Sequence, residues 1–402
     1  MRHHPNFAVL VAFTIVMTGP FAPVLAADVK PESATLRFVE GSTRKVQQLI
    51  GDVDHETGKP TLSLSASRYG VEGTDLGSSF EMGTTTVVLF GDTLGGGDAY
   101  AKLLGTTPET AVLEFFTAGG TRRYARVQPD GRRMPGFEVP VAGITLGGRA
   151  YVVCKINHTM SAHTDRTILT RFDPQAGSFT ILRTISQLPK GKFIKMSLVH
   201  DPKSAGNNAR VFMFGTGPYR ESDAFLASIP AATMETGQGT RYFAGLENGL
   251  PVWTEQEADA KPIVTNGTLG DLSVKWVESV GLWLMTYDSR KPRGIFLRYA
   301  AQPWGPWSGP QRIFEADLDG AIGRYIYRRG DSANARLAGP VIGEGKADPK
   351  QVNGGAYAPY LVQSLITRQA DRLRIAYVMS TWNPYVVVLM SSEFEILGPQ
   401  TR

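Results

Sequence analysis

Short runs of strand-forming residues recur along almost the whole chain, and no long helical pattern separates them. TTTVVLFG, RAYVVCKI, RTILTRF, SFTILRTI, RVFMFGT, DAFLASI, SVKWVE, LWLMTYD, IFLRYA, YAPYLVQSLI, RLRIAYVM and YVVVLMSS are each apolar or alternating. They are rich in β-branched and aromatic side chains and are bounded by Gly, Pro, Asn or Asp, the punctuation of a sheet protein. The 44 Gly and 25 Pro supply the turns. Several runs sit as hairpin pairs, as in RTILTRF-DPQAG-SFTILRT and SVKWVES-VG-LWLMTYD. The pattern confines the fold to an all-β sandwich, barrel or propeller, and length favours the propeller: roughly 370 residues after a leader fill about five blades of four strands. No strict repeat such as a Trp-Asp dipeptide fixes the blade count.

The leader is read from MRHHPNFAVLVAFTIVMTGPFAPVLAADVK, with Arg2 in a basic lead, an uncharged run from Phe7 to Met17, and small residues before Ala27. This predicts a secretory signal peptide over 1–26 and a secreted or periplasmic mature chain, the alternative being an uncleaved anchor. Residues 27–59 then lead into a propeller domain over 60–398, and no membrane span is expected once the signal is removed. A monomer is expected. The net charge of +5 forms no long basic stripe, which argues against nucleic acid. Arg122-Arg123 and Arg132-Arg133 read as solvated loop charges. Cys154 is the single cysteine, expected inside a strand, so no intrachain disulfide can form. Beyond the leader only His55, His158, His163 and His200 remain, without a Cys cluster or HExxH spacing. No metal site and no cofactor are expected. Serine-nucleophile and dinucleotide glycine patterns are absent as well.

Two carboxylates stand where strands meet turns: Asp75 in GVEGTDLGSSFE and Asp92 in VVLFGDTLGGG. A hairpin joining the segments would bring both to one mouth, and paired carboxylates at separated positions are the machinery of glycosidic hydrolysis. The competing reading is that both are turn residues accepting backbone N–H bonds. The six tryptophans all lie in the second half, with Tyr357, Tyr360 and Tyr385 near the C-terminus. About a third of such aromatics are expected to reach a cleft and the rest to be core. The stretch from Arg328 to Gly355 is the longest candidate loop, and loops of that length in a compact all-β domain commonly wall a binding site.

GTDLG, FGDT, VFMFGTGPYR followed by DAFLASIP, NGTLGDLSVKWVESVGLWLMTYDS, GGAYAPYL and MSTWNPYVVVLM occur in that order. As an ordered set over roughly residues 60–395 they resemble the bacterial secreted family known as domain of unknown function 4185, whose characterised members form glycoside hydrolase family 183. The resemblance implies a five-bladed β-propeller and inverting, endo-acting hydrolysis of D-arabinan, an α-linked arabinofuranose polymer. It places the catalytic pair on Asp75 and Asp92, here assigned as general base and general acid respectively, an assignment that could be exchanged. The segment GDLSV departs from the GELSV common in the family, so Asp271 is one methylene short at a position that could orient the sugar. Tyr219 and Arg220 in GTGPYR, with Trp382, Asn383 and Tyr385 in STWNPY, are further candidate substrate contacts. A non-catalytic glycan-binding propeller of the cell envelope is the alternative function, since a fold does not fix an activity.

Overall fold

A computed structural model describes Met1 and residues 34–157, 164–339 and 348–398. The signal segment, His158, His163 and the middle of the loop expected over 328–355 lie outside the described residues. The unit spanning Ser33–Arg402 holds all the elements below.

Its strands form five antiparallel sheets, the blades of a β-propeller. Blade I comprises Asp75–Met82, Thr85–Gly91, Tyr100–Leu104 and Val112–Phe115. Blade II runs through Val139–Leu146, Arg149–Ile156, Arg166–Asp173 and Ser178–Gln187. Blade III has Lys195–His200, Arg210–Thr216, Ala224–Pro230, Arg241–Glu247 and Leu250–Thr254, with Pro262–Val264 added on Ala224–Pro230. Blade IV comprises Leu269–Val277, Leu282–Arg290, Arg293–Ala300 and Gln311–Phe314. Blade V begins with Ala356–Leu361, Arg372–Trp382 and Tyr385–Leu397. In every blade the first strand is innermost. Each inner strand packs on that of the next blade, and the fifth packs on the first, which closes the ring.

The closing device comes from the other end of the chain. Thr35–Phe38 and Arg44–Gln48 both pair with Tyr385–Leu397, so residues expected only to lead into the propeller supply the outer edge of blade V. Pairing that edge removes a row of open backbone groups. Lys45 anchors the segment: its buried ammonium bonds both oxygens of Asp54 at 2.7 and 2.8 Å and Glu56 at 3.1 Å.

Both predicted hairpins form, Arg166–Asp173 with Ser178–Gln187 and Leu269–Val277 with Leu282–Arg290. Between blades I and II, Phe172 stacks on Phe179 at 4.6 Å and Tyr100 on Phe116 at 4.7 Å. Cys154 is fully buried in the same cluster, as its sequence context predicts. Between blades III and IV, Trp283 is fully buried, and Trp253, Trp276, Trp304 and Trp307 pack around that core. Of the nine aromatics singled out, Trp382, Tyr357 and Tyr385 line the central cleft, the expected third, while the wedge-shaped gaps between blades take the other tryptophans. Across the axis, Lys275 of the inner strand of blade IV donates to the Ser79 carbonyl of blade I at 2.7 Å. Burial pushes this ammonium down to about 8.

Close contact between inner strands depends on glycine. A Cβ on Gly143, in the inner strand of blade II, would meet ring carbons of Phe80 in blade I at 2.2 to 2.7 Å. The Gly143→Val variant is therefore expected to lose about 1–3 kcal/mol by overpacking. Thermal unfolding followed by circular dichroism measures the loss, and an unchanged melting temperature would show that the blades are not packed in this way.

Candidate active site

In each blade the first strand starts where the second ends, so five strand starts and five strand ends encircle one mouth of the ring. Asp75 faces Gly91, Val139 faces Lys155, Lys195 faces Thr216, Leu269 faces Ser289, and Ala356 faces Thr381. Beta-bulges interrupt four inner strands at this end, at Leu76/Ser78, Pro140/Ala142, Leu269/Leu272 and Tyr357/Tyr360. A bulge bends the strand and re-aims side chains, which here turns polar groups into the hollow. The resulting cleft has a volume of ≈ 530 Å³. Asp75, Asp92, Lys195, Asp271, Tyr357 and Trp382 are among its lining residues.

Asp75 and Asp92 therefore do share one mouth. Asp75 is the first residue of the inner strand of blade I and is only 8% exposed. Its Oδ2 accepts a 2.8 Å hydrogen bond from the Tyr357 hydroxyl, and its buried Oδ1 has no partner. Gly91 makes room for it, since a Cβ there would fall 2.9 Å from Oδ1 and 2.7 Å from Val139. Burial, followed by the nearby charge of Asp92, pushes the Asp75 carboxyl up to about 8.

Asp92 occupies a different environment. It sits just past the second strand of blade I with φ +42°, in the left-handed region, and it is half-buried. Its N–H donates to Asp98 Oδ1 at 2.8 Å, while its Oδ1 accepts from the Phe137 N–H at 2.8 Å. The turn is thus held from behind by a buried side chain and from the side by the loop that leads to blade II. Burial and the charge of Asp92 push Asp98 well above the usual carboxylate range. The bonds that hold Asp92 explain the charge at the end of a buried strand: the turn presents it to the cleft.

The opposite wall holds a buried lattice of charges. Lys195 opens the inner strand of blade III and pairs with Asp271 Oδ1 at 2.8 Å, an oxygen that also accepts from the Tyr360 hydroxyl at 3.0 Å. Burial alone would raise Asp271, but Lys195 and Tyr360 hold it below its ordinary value. Arg220, with φ +61°, bonds Asp288 Oδ2 through Nε at 3.3 Å and through its terminal nitrogen at 3.1 Å. Asp288 Oδ1 in turn accepts from the Asp271 N–H at 2.9 Å. Gly270 is required beside it, because a Cβ there would fall 2.3 Å from an Asp288 carboxylate oxygen. Tyr219 lies over this lattice with the Arg220 guanidinium 4.7 Å and Lys195 Nζ 5.3 Å from its ring centre. The ring is 42% exposed and lines the cleft.

Of the other expected contacts, Trp382 and Tyr385 line the cleft and stand edge to face at 5.9 Å. The Tyr385 hydroxyl donates to the Asp92 carbonyl at 3.3 Å. Asn383 is corrected: it is fully buried and outside the cleft lining. Its amide group donates to the Pro349 and Val352 carbonyls and accepts from the Gly339 N–H, so it ties together the loop between blades IV and V. That loop does wall the site, through Asn353, Gly354 and Gly355. Sequence reasoning missed Asp98, Lys195, Asp288 and the bond from Tyr357. Lys195 and Asp288 share a positional signal, a charge in the first position of an inner strand or near the end of the next. Among the described residues no group of three or more His, Cys, Asp or Glu side chains could hold a metal ion.

A family profile described as "Domain of unknown function (DUF4185)" matches residues 63–391. No curated protein matches the chain in sequence. Among solved structures, a thermostable family-43 glycoside hydrolase is similar at 11% identity and a TM-score of 0.42, over 82% of this chain and 95% of that one. An exo-β-1,3-galactanase from Phanerochaete chrysosporium, a variant bound to β-1,3-galactotriose, is similar at 9% identity and 0.44, over 89% and 67%. A family-43 enzyme from Xanthomonas citri complexed with xylotriose is similar at 13% and 0.41, over 80% and 87%.

Two outcomes follow for Asp75. Because the Asp92 charge contributes to raising it, the Asp92→Asn variant is expected to titrate Asp75 below about 8, which carboxyl-carbon NMR measures. A folded value above the unfolded one of about 3.9 favours the protonated carboxyl, so the associated stability is complete below pH ~4 and is lost as pH rises toward 8. Asp75→Asn is expected to abolish this loss, flattening the decline in melting temperature across that window; an unaltered pH slope would contradict the raised value.

Proposed function

We propose that this chain, which belongs to the family described as domain of unknown function DUF4185, is a glycoside hydrolase that cleaves α-D-arabinofuranosyl linkages within D-arabinan. One observation carries the hydrolase reading: two carboxylates on adjoining strands of one blade line the same cleft in unlike environments, one buried and held protonated, the other half-buried in a turn. Environments that push the two carboxyl groups apart are what acid–base cleavage of a glycoside needs. The choice of arabinan follows from the ordered motifs of the sequence, while the cleft bears on the chemistry alone. Internal cleavage, inversion and export from the cytoplasm rest on the same motifs and on the leader sequence.

The roles assigned from sequence are exchanged in this proposal. Asp75, neutral up to about pH 8, is the general acid that protonates the departing glycosidic oxygen. The Tyr357 hydroxyl, 2.8 Å from Oδ2, steadies the carboxyl and takes up part of the charge left after transfer. Asp92 is the base that draws a proton from the attacking water. Tyr219 and Trp382 offer ring faces to the C–H surfaces of the sugar. Asp271, already bonded to Lys195 and Tyr360, acts as a fixed acceptor at the wall.

Purified protein incubated with D-arabinan and, separately, L-arabinan is expected to release oligosaccharides from the first, as read by chromatography. Asp75→Asn and Asp92→Asn should each lower kcat by roughly 10²- to 10⁴-fold. Turnover should decline as pH rises through about 8, where Asp75 loses its proton. Retention of the polymer without any release would identify a glycan-binding propeller instead.

A further inference from the structure

The cationic side chains of the cleft are matched to carboxylates with one conspicuous remainder. Lys155 bonds Asp165 at 3.4 Å, Lys195 bonds Asp271 at 2.8 Å, and Arg220 bonds Asp288 at 3.1 Å. Arg293 contacts Glu315 at 3.3 Å and Asp317 at 3.1 Å. Arg290 ends the second strand of blade IV, lines the same cleft and is exposed. Among the described cations lining the cleft it alone has no carboxylate within ion-pair distance. The acids that pair with the neighbouring Arg293 are already committed. Glu315 accepts the N–H groups of Asp317 and Leu318 on one oxygen and faces Arg293 with the other, and Asp317 is shared by Arg293 and Arg328.

Resting on the hydrolase reading, we infer that Arg290 is a specificity-determining residue that binds an anionic substituent of the polysaccharide, a carboxylate or phosphate ester, at the blade IV lip. A guanidinium offers a planar fork of donors that fits either anion with two parallel hydrogen bonds. Salt pairs elsewhere in the cleft are internally satisfied and would gain nothing from an anionic ligand. Arg290 is the cation left for one. Arg290 belongs to blade IV and the carboxylate pair to blade I, so the preference concerns a substituent on a sugar other than the one whose bond is cut.

The test compares neutral D-arabinan with the same polymer carrying carboxymethyl groups. For the wild type, kcat/KM on both polymers is measured at low salt and at 0.5 M NaCl. Arg290→Ala is expected to reduce the acidic-to-neutral ratio of kcat/KM about tenfold, the size of one lost charge-assisted bond, with Arg290→Lys intermediate. Added salt should shrink the wild-type ratio toward that of Arg290→Ala. Free acetate that lowers the ratio at millimolar concentration would show that the carboxylate alone is recognised; acetate without effect would show that the polymer must present it. An equal loss on both polymers, or none, overturns the assignment. If the wild type cleaves neither polymer, the hydrolase reading fails by itself, and retention of each polymer by wild type and Arg290→Ala in affinity electrophoresis decides the anion preference.

Discussion

The arrangement rests on the antiparallel hairpin that opens every blade. Because the first strand runs inward-facing along the axis and the second returns beside it, the residue that begins one lies opposite the residue that ends the other. Repeating this five times around an axis gathers ten strand termini at one rim. Segments far apart in the chain thereby contribute to a single hollow. Asp75 and Tyr357 are 282 positions apart yet share a 2.8 Å hydrogen bond. The bulges then supply what regular pleating does not, a local turn of the backbone that points a polar group toward the axis.

Electrostatics divides the cleft into two walls. On the side of blades III and IV the buried carboxyl groups of Asp271 and Asp288 are bonded to Lys195 and Arg220, and Asp288 also accepts the Asp271 N–H, so their positions are fixed. On the side of blade I no such cation contacts Asp75, and desolvation dominates. Removing water from an isolated carboxylate is costly enough that the group holds its proton instead. One wall thus holds paired charges with acceptors in place, and the other holds a carboxyl that burial keeps protonated. Asp98 sits behind Asp92 as a further buried acid, so the Asp92 turn is backed by a side chain that favours its own neutral form.

Much of the fold is legible in the sequence because strand periodicity and turn residues are local. The hairpins, the burial of Cys154 and the all-β class follow from short windows of residues. The contribution of Thr35–Phe38 and Arg44–Gln48 to blade V does not, since TLRF and RKVQQ carry no mark of a partner 340 or more positions away, as in Phe38 facing Phe394. Asp75 and Asp92 could be picked out because each is a charge in a turn-prone setting, with glycine within two residues, at the edge of a strand. Their protonation could not, for it depends on how deeply each is sunk and on Tyr357 from the last blade. Asn383 misleads for a related reason: a polar residue between Trp382 and Tyr385 looks like a contact, yet its amide is wholly used by the backbone of a neighbouring loop.

The sharing of blade V between both ends of the chain has a temporal side. Until Tyr385–Leu397 has been made, the strands at Thr35–Phe38 and Arg44–Gln48 have nothing to join, and the ring stays open. Tyr357 likewise arrives late, so for most of its synthesis the chain carries Asp75 without its phenolic companion. Closure of the ring and completion of the hollow therefore both await the residues of blade V. A product that stops before Ala356 would lack both the strand that Thr35–Phe38 and Arg44–Gln48 join and the Tyr357 hydroxyl bonded to Asp75, and would leave a sheet edge open.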